Sequence, residues 1–248
     1  MEKIYGKQSV LAPQGNTFCP GCGHSTLIKI ISEVLVENGW VDRAIQVNGV
    51  GCNLNTHGLL GWDMVQGPHG RAAAVASGVK HAQRGSLTFT YQGDGDASCI
   101  GVGETFHAAT RKEPITAIMV NNQIYGMTGG QSSPTTLLGQ RTTTDVTGRK
   151  AERSGYPTRL AEVIATFEGP AFVGRFSLHT PKHIIQTKKA LEKAFRLQLE
   201  ENIYSFLEIL SMCPTNWHVN TMDTPEYMEK NVLPVFPLGI LREPEKGR

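Results

Sequence analysis

The sequence predicts an α/β fold, a mostly parallel sheet flanked by helices, and three observations predict it. Short apolar runs of strand length alternate with longer segments whose apolar residues recur at helical spacing. The runs ending at Val47, Tyr91 and Val120 pass directly into turns rich in Gly, Asn and Asp. Strand and helix alternate along most of the chain, which is the pattern of a parallel sheet.

The elements follow in chain order. Residues 1–18 read as an irregular arm. Residues 25–38 carry a helical apolar pattern, with Ser25 or Thr26 as the starting cap and Gly39 as the stop. Ala44–Val47 reads as a short strand, Gly70–Arg84 as an alanine-rich helix and Leu87–Tyr91 as a strand. Ser98–Lys112 reads as a helix and Ile115–Val120 as a buried strand. Residues 122–157 have no clear period and are rich in Ser, Thr, Gly and Gln; so long a loop in a compact domain is usually functional or disordered. A short helix near 158–166, a strand near 171–176, a helix near 181–201 and a strand near 204–210 complete the alternation. No repeat, linker or second domain is visible. Residues 1–248 are therefore expected to form a single domain with a C-terminal tail from about residue 215 to 248.

Composition narrows the function. The chain has 248 residues, 40% hydrophobic and 19% charged, an ordinary globular balance with material for a sizeable core. A net charge of +2 does not make the basic face that nucleic acid requires. No apolar run approaches the roughly 18 residues of a membrane span, and Met1–Tyr5 lacks the apolar segment of a signal peptide, so no membrane is expected and the cytoplasm is. In a reducing compartment, five cysteines point to metal or redox sites before disulfides. The 27 glycines gather in loops, which suggests close backbone approach to a ligand.

Two groups of residues carry chemistry. Gly93-Asp94-Gly95-Asp96 follows a strand at once, and Asn121-Asn122 ends the next strand, with Asn122 28 positions after Asp94. A diphosphate held through magnesium needs a carboxylate and neutral oxygen ligands. Asp94 supplies the charge, the Asn122 amide a neutral oxygen, and the Ile124 carbonyl a third ligand. Gly93 and Gly95 would let the backbone approach the phosphates, with the helix from Ser98 aimed at them. Alone, the tetrapeptide is a common strand-to-helix turn. The second group is Cys19 and Cys22 in a Cys-x-x-Cys pair before the first helix, Cys52 in a glycine-flanked turn and Cys213 after the last strand. Such a set can close a four-thiolate site for zinc or for an iron–sulfur cluster, and the pair also reads as a thioredoxin-like motif.

The Gly-Asp-Gly with Asn-Asn about thirty residues on resembles the thiamine-diphosphate motif. The segment Tyr125-Gly126-Met127-Thr128-Gly129-Gly130-Gln131 resembles the β subunits of the 2-oxoacid:ferredoxin oxidoreductases, and the likeness extends over about residues 15–215. The resemblance implies thiamine diphosphate, a magnesium ion on Asp94, Asn122 and Ile124, and a [4Fe–4S] cluster on Cys19, Cys22, Cys52 and Cys213. It implies that Gly93, Gly95, Asp96, Gly126 and Met127 line the cofactor. His69, in His-Gly-Arg, and the turn Val50, Gly51, Cys52 and Asn53 are implied to lie beside it. The implied activity is oxidative decarboxylation of a 2-oxo acid to an acyl-coenzyme A, with electrons passed to ferredoxin. The short chain resembles the 2-oxoglutarate and branched-chain types more than the pyruvate type.

The resemblance implies that the carboxylate that activates thiamine comes from a pyrimidine-binding α subunit, with γ and δ subunits as further candidate partners; Glu104, an in-chain candidate, reads rather as a helix-surface residue. Cys99 has no counterpart in the family pattern and reads as a buried packing residue. His57 and His107 read as ordinary histidines, and the Ser132–Thr136 hydroxyls as phosphate contacts or a solvated loop. Two alternatives stand beside this reading: a non-oxidative thiamine decarboxylase or synthase subunit, and a zinc-stabilised structural subunit with a relic thiamine fold.

Overall fold

A computed structural model describes residue 6 and residues 8–244. Parts of the expected arm (residues 1–5 and 7) and tail (residues 245–248) lie outside the described residues. Seven strands form one sheet: β1 (Ala44–Asn48), β2 (Asp63–Gln66), β3 (Leu87–Gly93), β4 (Thr116–Asn121), β5 (Phe172–Ser177), β6 (Ser205–Leu210) and β7 (Gly239–Arg242). Their order is β2-β1-β3-β4-β6-β5-β7; every neighbouring pair is parallel except β5 with β7.

The central strands are buried on both faces, as a parallel sheet under two helical layers requires. One layer is α1 (Gly23–Glu37) and, at the far end of the chain, a long helix over Pro181–Glu201. Leu27, Ile31 and Val34 of α1 and Leu191 and Phe195 of the long helix pack on Phe89, Tyr91, Leu207 and Ile209. The other layer is α2 (Ala72–Ala82), α3 (Val102–Thr110) and, after the short α4 (Ala151–Ser154), α5 (Leu160–Ala165). Here Ala72, Ala73, Ala76, Ala108 and Ala109 meet Ala117, Met119 and Phe206, small side chains that let helix and sheet approach closely.

The long helix, α6, has the ends its sequence dictates. Thr180 caps it by accepting from the His183 N–H at 3.4 Å, Pro181 opens it, and Asn202 closes it in the left-handed conformation (φ 57°). Helix α1 departs from expectation: it begins at Gly23 after Cys22, two residues before the expected caps, and the Ser25 hydroxyl instead bonds the Cys22 carbonyl at 3.0 Å.

Two expectations are corrected. The helix expected over 98–112 is two pieces. A π-helical turn, Asp96–Ile100, follows the Gly-Asp-Gly directly, with Gly101 N–H bonded to the Asp96 carbonyl at 2.8 Å, and α3 follows it. The expected tail folds back onto the sheet edge. Its short helices α7 (Pro214–Trp217) and α8 (Thr224–Tyr227) and the turn Met228–Val232 bring Trp217, Met228, Val232 and Phe236 against Ile124, Leu137 and Leu210, and β7 then adds an edge strand.

One buried ion pair ties the sheet to the site. Arg175 on β5, fully buried, donates to Glu208 on β6 at 2.9 Å and pairs with Glu162 of α5. Glu208 in turn accepts from the Asn121 side chain at 2.6 Å, and so fixes the residue that precedes Asn122. No described helix is long and apolar enough to cross a membrane.

Candidate functional site

Strands β1, β3, β4 and β6 lie side by side and parallel, so their carboxyl ends open on one edge, where ligands of such sheets bind. The turn after β1 brings Val50, Gly51, Cys52 and Asn53 to that edge, and the turn after β3 brings Gly93, Asp94, Gly95 and Asp96. The turn after β4 brings Asn122, Ile124, Gly126 and Met127, and His69 closes the side. All of these line one cleft. Three further residues line it without having been expected: His24, Tyr125 and Thr128.

Asp94 is buried, and its Oδ2 accepts from the Ser133 hydroxyl at 2.6 Å and from the Thr135 hydroxyl. Burial pushes its carboxyl up to about 6, against the lowering effect of those two hydrogen bonds. These donors are neutral and leave the charge uncompensated, the state a divalent cation relieves. The Ser132–Thr136 segment is therefore no solvated loop: Ser133 and Thr135 are buried and hold Asp94. Asn122 accepts from the Ile124 N–H at 3.3 Å, and Trp217 donates to the Asn122 carbonyl at 2.8 Å.

Asn53 contributes an orphan. Its amide nitrogen donates to the Gly49 and Tyr91 carbonyls at 2.7 and 2.9 Å, and its Oδ1 is buried without a partner. Such an atom costs stability unless something in the cleft donates to it. Gly51, at φ 149°, holds a conformation open only to glycine in this turn.

The four thiols converge beside this cleft. Burial pushes Cys22 up to about 12, and proximity to Cys213, Cys52 and Cys19 adds to it; burial, Cys213 and Cys19 push Cys52 to about 12 as well. A Cβ added to Gly126 would lie 3.3 Å from the Cys52 sulfur, so the thiol borders the cleft-lining loop. Asn216, on α7, lies 3.5 Å from the Cys213 sulfur and 3.3 Å from the Gly126 carbonyl, donating to both. Among the described residues, no three of these thiols lie within 4.8 Å of one another.

Residues 43–209 match the family model of the thiamine pyrophosphate enzymes, C-terminal TPP binding domain. Across 98% of its length the chain is 37% identical to the ketoisovalerate oxidoreductase subunit VorA of Methanothermobacter thermautotrophicus, and it spans 51% of that subunit. It is 32% identical to the 2-oxoglutarate synthase subunit KorB of Archaeoglobus fulgidus over 86% of its own length and 76% of that subunit's. The chain belongs to the 2-oxoacid:ferredoxin oxidoreductase family of thiamine pyrophosphate enzymes. Its fold matches a solved 2-oxoglutarate:ferredoxin oxidoreductase from Magnetococcus marinus, with 2-oxoglutarate, coenzyme A and succinyl-CoA bound, at a TM-score of 0.77. That match has 24% identity and covers 98% of this chain and 86% of the other.

Within this family fold, several side chains have duties the motif does not reveal. Gly95 is small because a Cβ there would meet the Tyr125 ring at 2.1 Å; it makes room for an aromatic wall and not only for phosphate. Cys99 is exposed, against the expectation of a buried packing residue. The π-turn carries more residues per turn than an α-helix, and it turns this thiol out beside the Tyr125 hydroxyl. Glu104 pairs with Arg71 at 2.8 Å on the surface of α3, as its sequence suggested. His57 bonds the Gln66 side chain and His107 is exposed, both ordinary roles. His24 stacks on Phe18 and bonds the Tyr91 hydroxyl at 2.8 Å, and burial lowers it to about 4, so it is a neutral wall of the cleft.

Asp96 lines the cleft, yet both its oxygens are engaged by the protein. Oδ1 accepts from the Val50 and Gly70 N–H groups at 3.1 and 2.7 Å and from His69, and Oδ2 accepts from Gln92 at 2.6 Å. It is a bracket that holds the Val50 turn and His69 against β3. Asp96→Ala strands buried donors, each worth on the order of 1–3 kcal/mol, so a loss on the order of 3 kcal/mol is expected in a urea titration. An unchanged midpoint would show that the bracket does not hold the turn.

Proposed function

We propose that this chain is the diphosphate-binding β subunit of a 2-oxoacid:ferredoxin oxidoreductase that converts a branched-chain 2-oxo acid to its acyl-coenzyme A, with carbon dioxide and reduced ferredoxin as the other products. The observation that carries this reading is a shared turn: Val50–Asn53 lines the cleft with Asp94 and Asn122 and also supplies Cys52 to the thiol set. A diphosphate site and an electron carrier on one turn suit a reaction that both decarboxylates and oxidises.

Asp94, the Asn122 amide oxygen and the Ile124 carbonyl would hold magnesium; Cys19, Cys22, Cys52 and Cys213 would hold a [4Fe–4S] cluster. When bound, thiamine diphosphate supplies the carbanion chemistry for decarboxylation and the cluster carries single electrons. The protein's own part is positioning. Ser133 and Thr135 orient the Asp94 carboxylate, the Asn53 Oδ1 offers an acceptor to a donor in the cleft, and His24 and Tyr125 shield the cleft walls. Asn216 donates toward the Cys213 sulfur, a contact of the kind that tunes a cluster's potential.

A thiol set that shares the Val50–Asn53 turn with the cofactor cleft suits an electron carrier, which favours the cluster over the zinc-relic alternative. A non-oxidative decarboxylase or synthase has no need of the thiol set. The branched-chain substrate is favoured by the 37% identity to a ketoisovalerate subunit and by a cleft with Val50, Ile124 and Met127 but no Lys or Arg among its lining residues. A second carboxylate, as in 2-oxoglutarate, would need a cation from elsewhere.

The activating carboxylate would come from a pyrimidine-binding α subunit. Met127, Leu138, Val146 and Tyr156, exposed in and around the long loop, offer it an apolar surface. Ferredoxin, coenzyme A and the 2-oxo acid complete the partners, with γ and δ subunits where the complex is larger. A reducing cytoplasm suits the thiols. The test is anaerobic turnover of the co-purified complex and of the lone chain on 3-methyl-2-oxobutanoate, 2-oxoglutarate and pyruvate. The expected result is a kcat/KM at least about tenfold higher for the branched-chain acid, equal to 1.4 kcal/mol. The lone chain should be inactive; full turnover by it, or turnover independent of coenzyme A and ferredoxin, would overturn the proposal.

A further inference from the structure

We propose that His179, His183 and Glu229 form a second metal site, for zinc or a similar divalent transition-metal ion, apart from the cofactor cleft. His179 stands two residues beyond β5, His183 in the first turn of α6, and Glu229 in the turn Met228–Val232. One ligand atom from each lies within 4.8 Å of the other two. The His179 Nε2 is already 2.7 Å from Glu229.

The surroundings resemble the outer shell of a metal site. The Nδ1 of His179 is bonded to the Ser177 hydroxyl at 2.6 Å, and the Nδ1 of His183 to the Thr180 hydroxyl at 2.7 Å. Each imidazole is thereby fixed in orientation with its Nε2 left for another partner, the arrangement that outer hydrogen bonds give to histidine ligands. The two rings stack at 4.3 Å with an interplanar angle of 23°. A hydrogen bond between His179 and Glu229 accounts for one of these contacts but not for the third ligand atom that His183 brings.

Zinc takes imidazole nitrogen and carboxylate oxygen at about 2.0–2.2 Å, so the three atoms must close to about 3.4 Å apart. Glu229 is half-exposed and free to make that movement. Three protein ligands leave a fourth position for water at the open side. The ion would fasten the C-terminal segment, which carries Trp217 beneath Asn122, to the start of α6.

The test uses the anaerobically purified complex with its iron in place, so that the cysteines are occupied. It is equilibrated with zinc chloride, desalted, and analysed for zinc and iron. The expected result is about one zinc per chain, with affinity at least about tenfold weaker in Glu229→Gln and His183→Ala, at unchanged iron content. His107→Ala, an exposed histidine on α3, should match the wild type. Glu229→Gln alters an exposed side chain and decides the matter even where His183→Ala does not fold. Absence of zinc from the wild type, or wild-type affinity in Glu229→Gln, would overturn the proposal.

Discussion

Asp94→Asn should strip thiamine diphosphate and magnesium from the protein without unfolding it. The carboxylate is buried among neutral donors, and burial raises it from 3.8 to about 6. At 1.36 kcal/mol per pH unit, holding it ionised costs the cofactor-free protein on the order of 3 kcal/mol. The sign follows from the raised value. The cost is present in full above about pH 6 and disappears as pH falls toward 3.8, where the unfolded chain also protonates. A divalent cation reverses this, because it favours the ionised form.

The neutral, nearly isosteric amide removes the cost and the ligand together. Cofactor-free Asp94→Asn should therefore be at least as stable as cofactor-free wild type at pH 7, with a flatter pH dependence. Its retained thiamine diphosphate after desalting should fall at least about tenfold. In the wild type, protons compete with the metal, so cofactor release should begin as pH drops below about 6. Stoichiometric retention of cofactor by Asp94→Asn would remove Asp94 from the metal site.

Cys52→Ala should lose the iron–sulfur chromophore, while Cys99→Ala keeps it. Cys52 borders both the cleft loop at Gly126 and the other three thiols, whereas Cys99 is exposed on the π-turn with Tyr125 as its neighbour. Three thiolates cannot saturate a four-iron cluster that needs four. Iron and sulfide in Cys52→Ala should drop to a small fraction of wild type, and ferredoxin reduction should stop with them. Cys99→Ala should leave both unchanged. The opposite pattern would show the ligand assignment to be wrong.

The central strands and α6 were legible because their signals are local. Apolar residues that alternate in β3, run on in β4 and dominate β6 mark the strands, and α6 is long enough, at 21 residues, for its helical spacing to register. The cleft turns were legible because Gly-Asp-Gly and Asn-Asn each follow a strand end. Strand β2 was missed because Asp63-Met64-Val65-Gln66 is a four-residue edge with two apolar residues. The fold of residues 214–242 was missed because its helices are single turns, shorter than any periodicity can register. The bracket made by Asp96 was not legible, because Val50 and Gly70 lie in two separate turns and Gln92 on β3, and only the folded chain unites them. Ser133 and Thr135 are separated from Asp94 by 39 and 41 positions, and nothing local distinguishes them from solvated loop residues. The outward turn of Cys99 depends on a π-helical turn that no residue pattern announced.

The most direct test of the account is the iron, acid-labile sulfide and zinc content of the thiol site in anaerobically purified protein, measured with its bound thiamine diphosphate. With zinc binding at His179, His183 and Glu229 weakened by the Glu229→Gln background and no zinc added, the account predicts about four iron and four sulfide per chain, no zinc on the thiols, and one thiamine diphosphate. One zinc per chain with neither iron nor sulfide would contradict it.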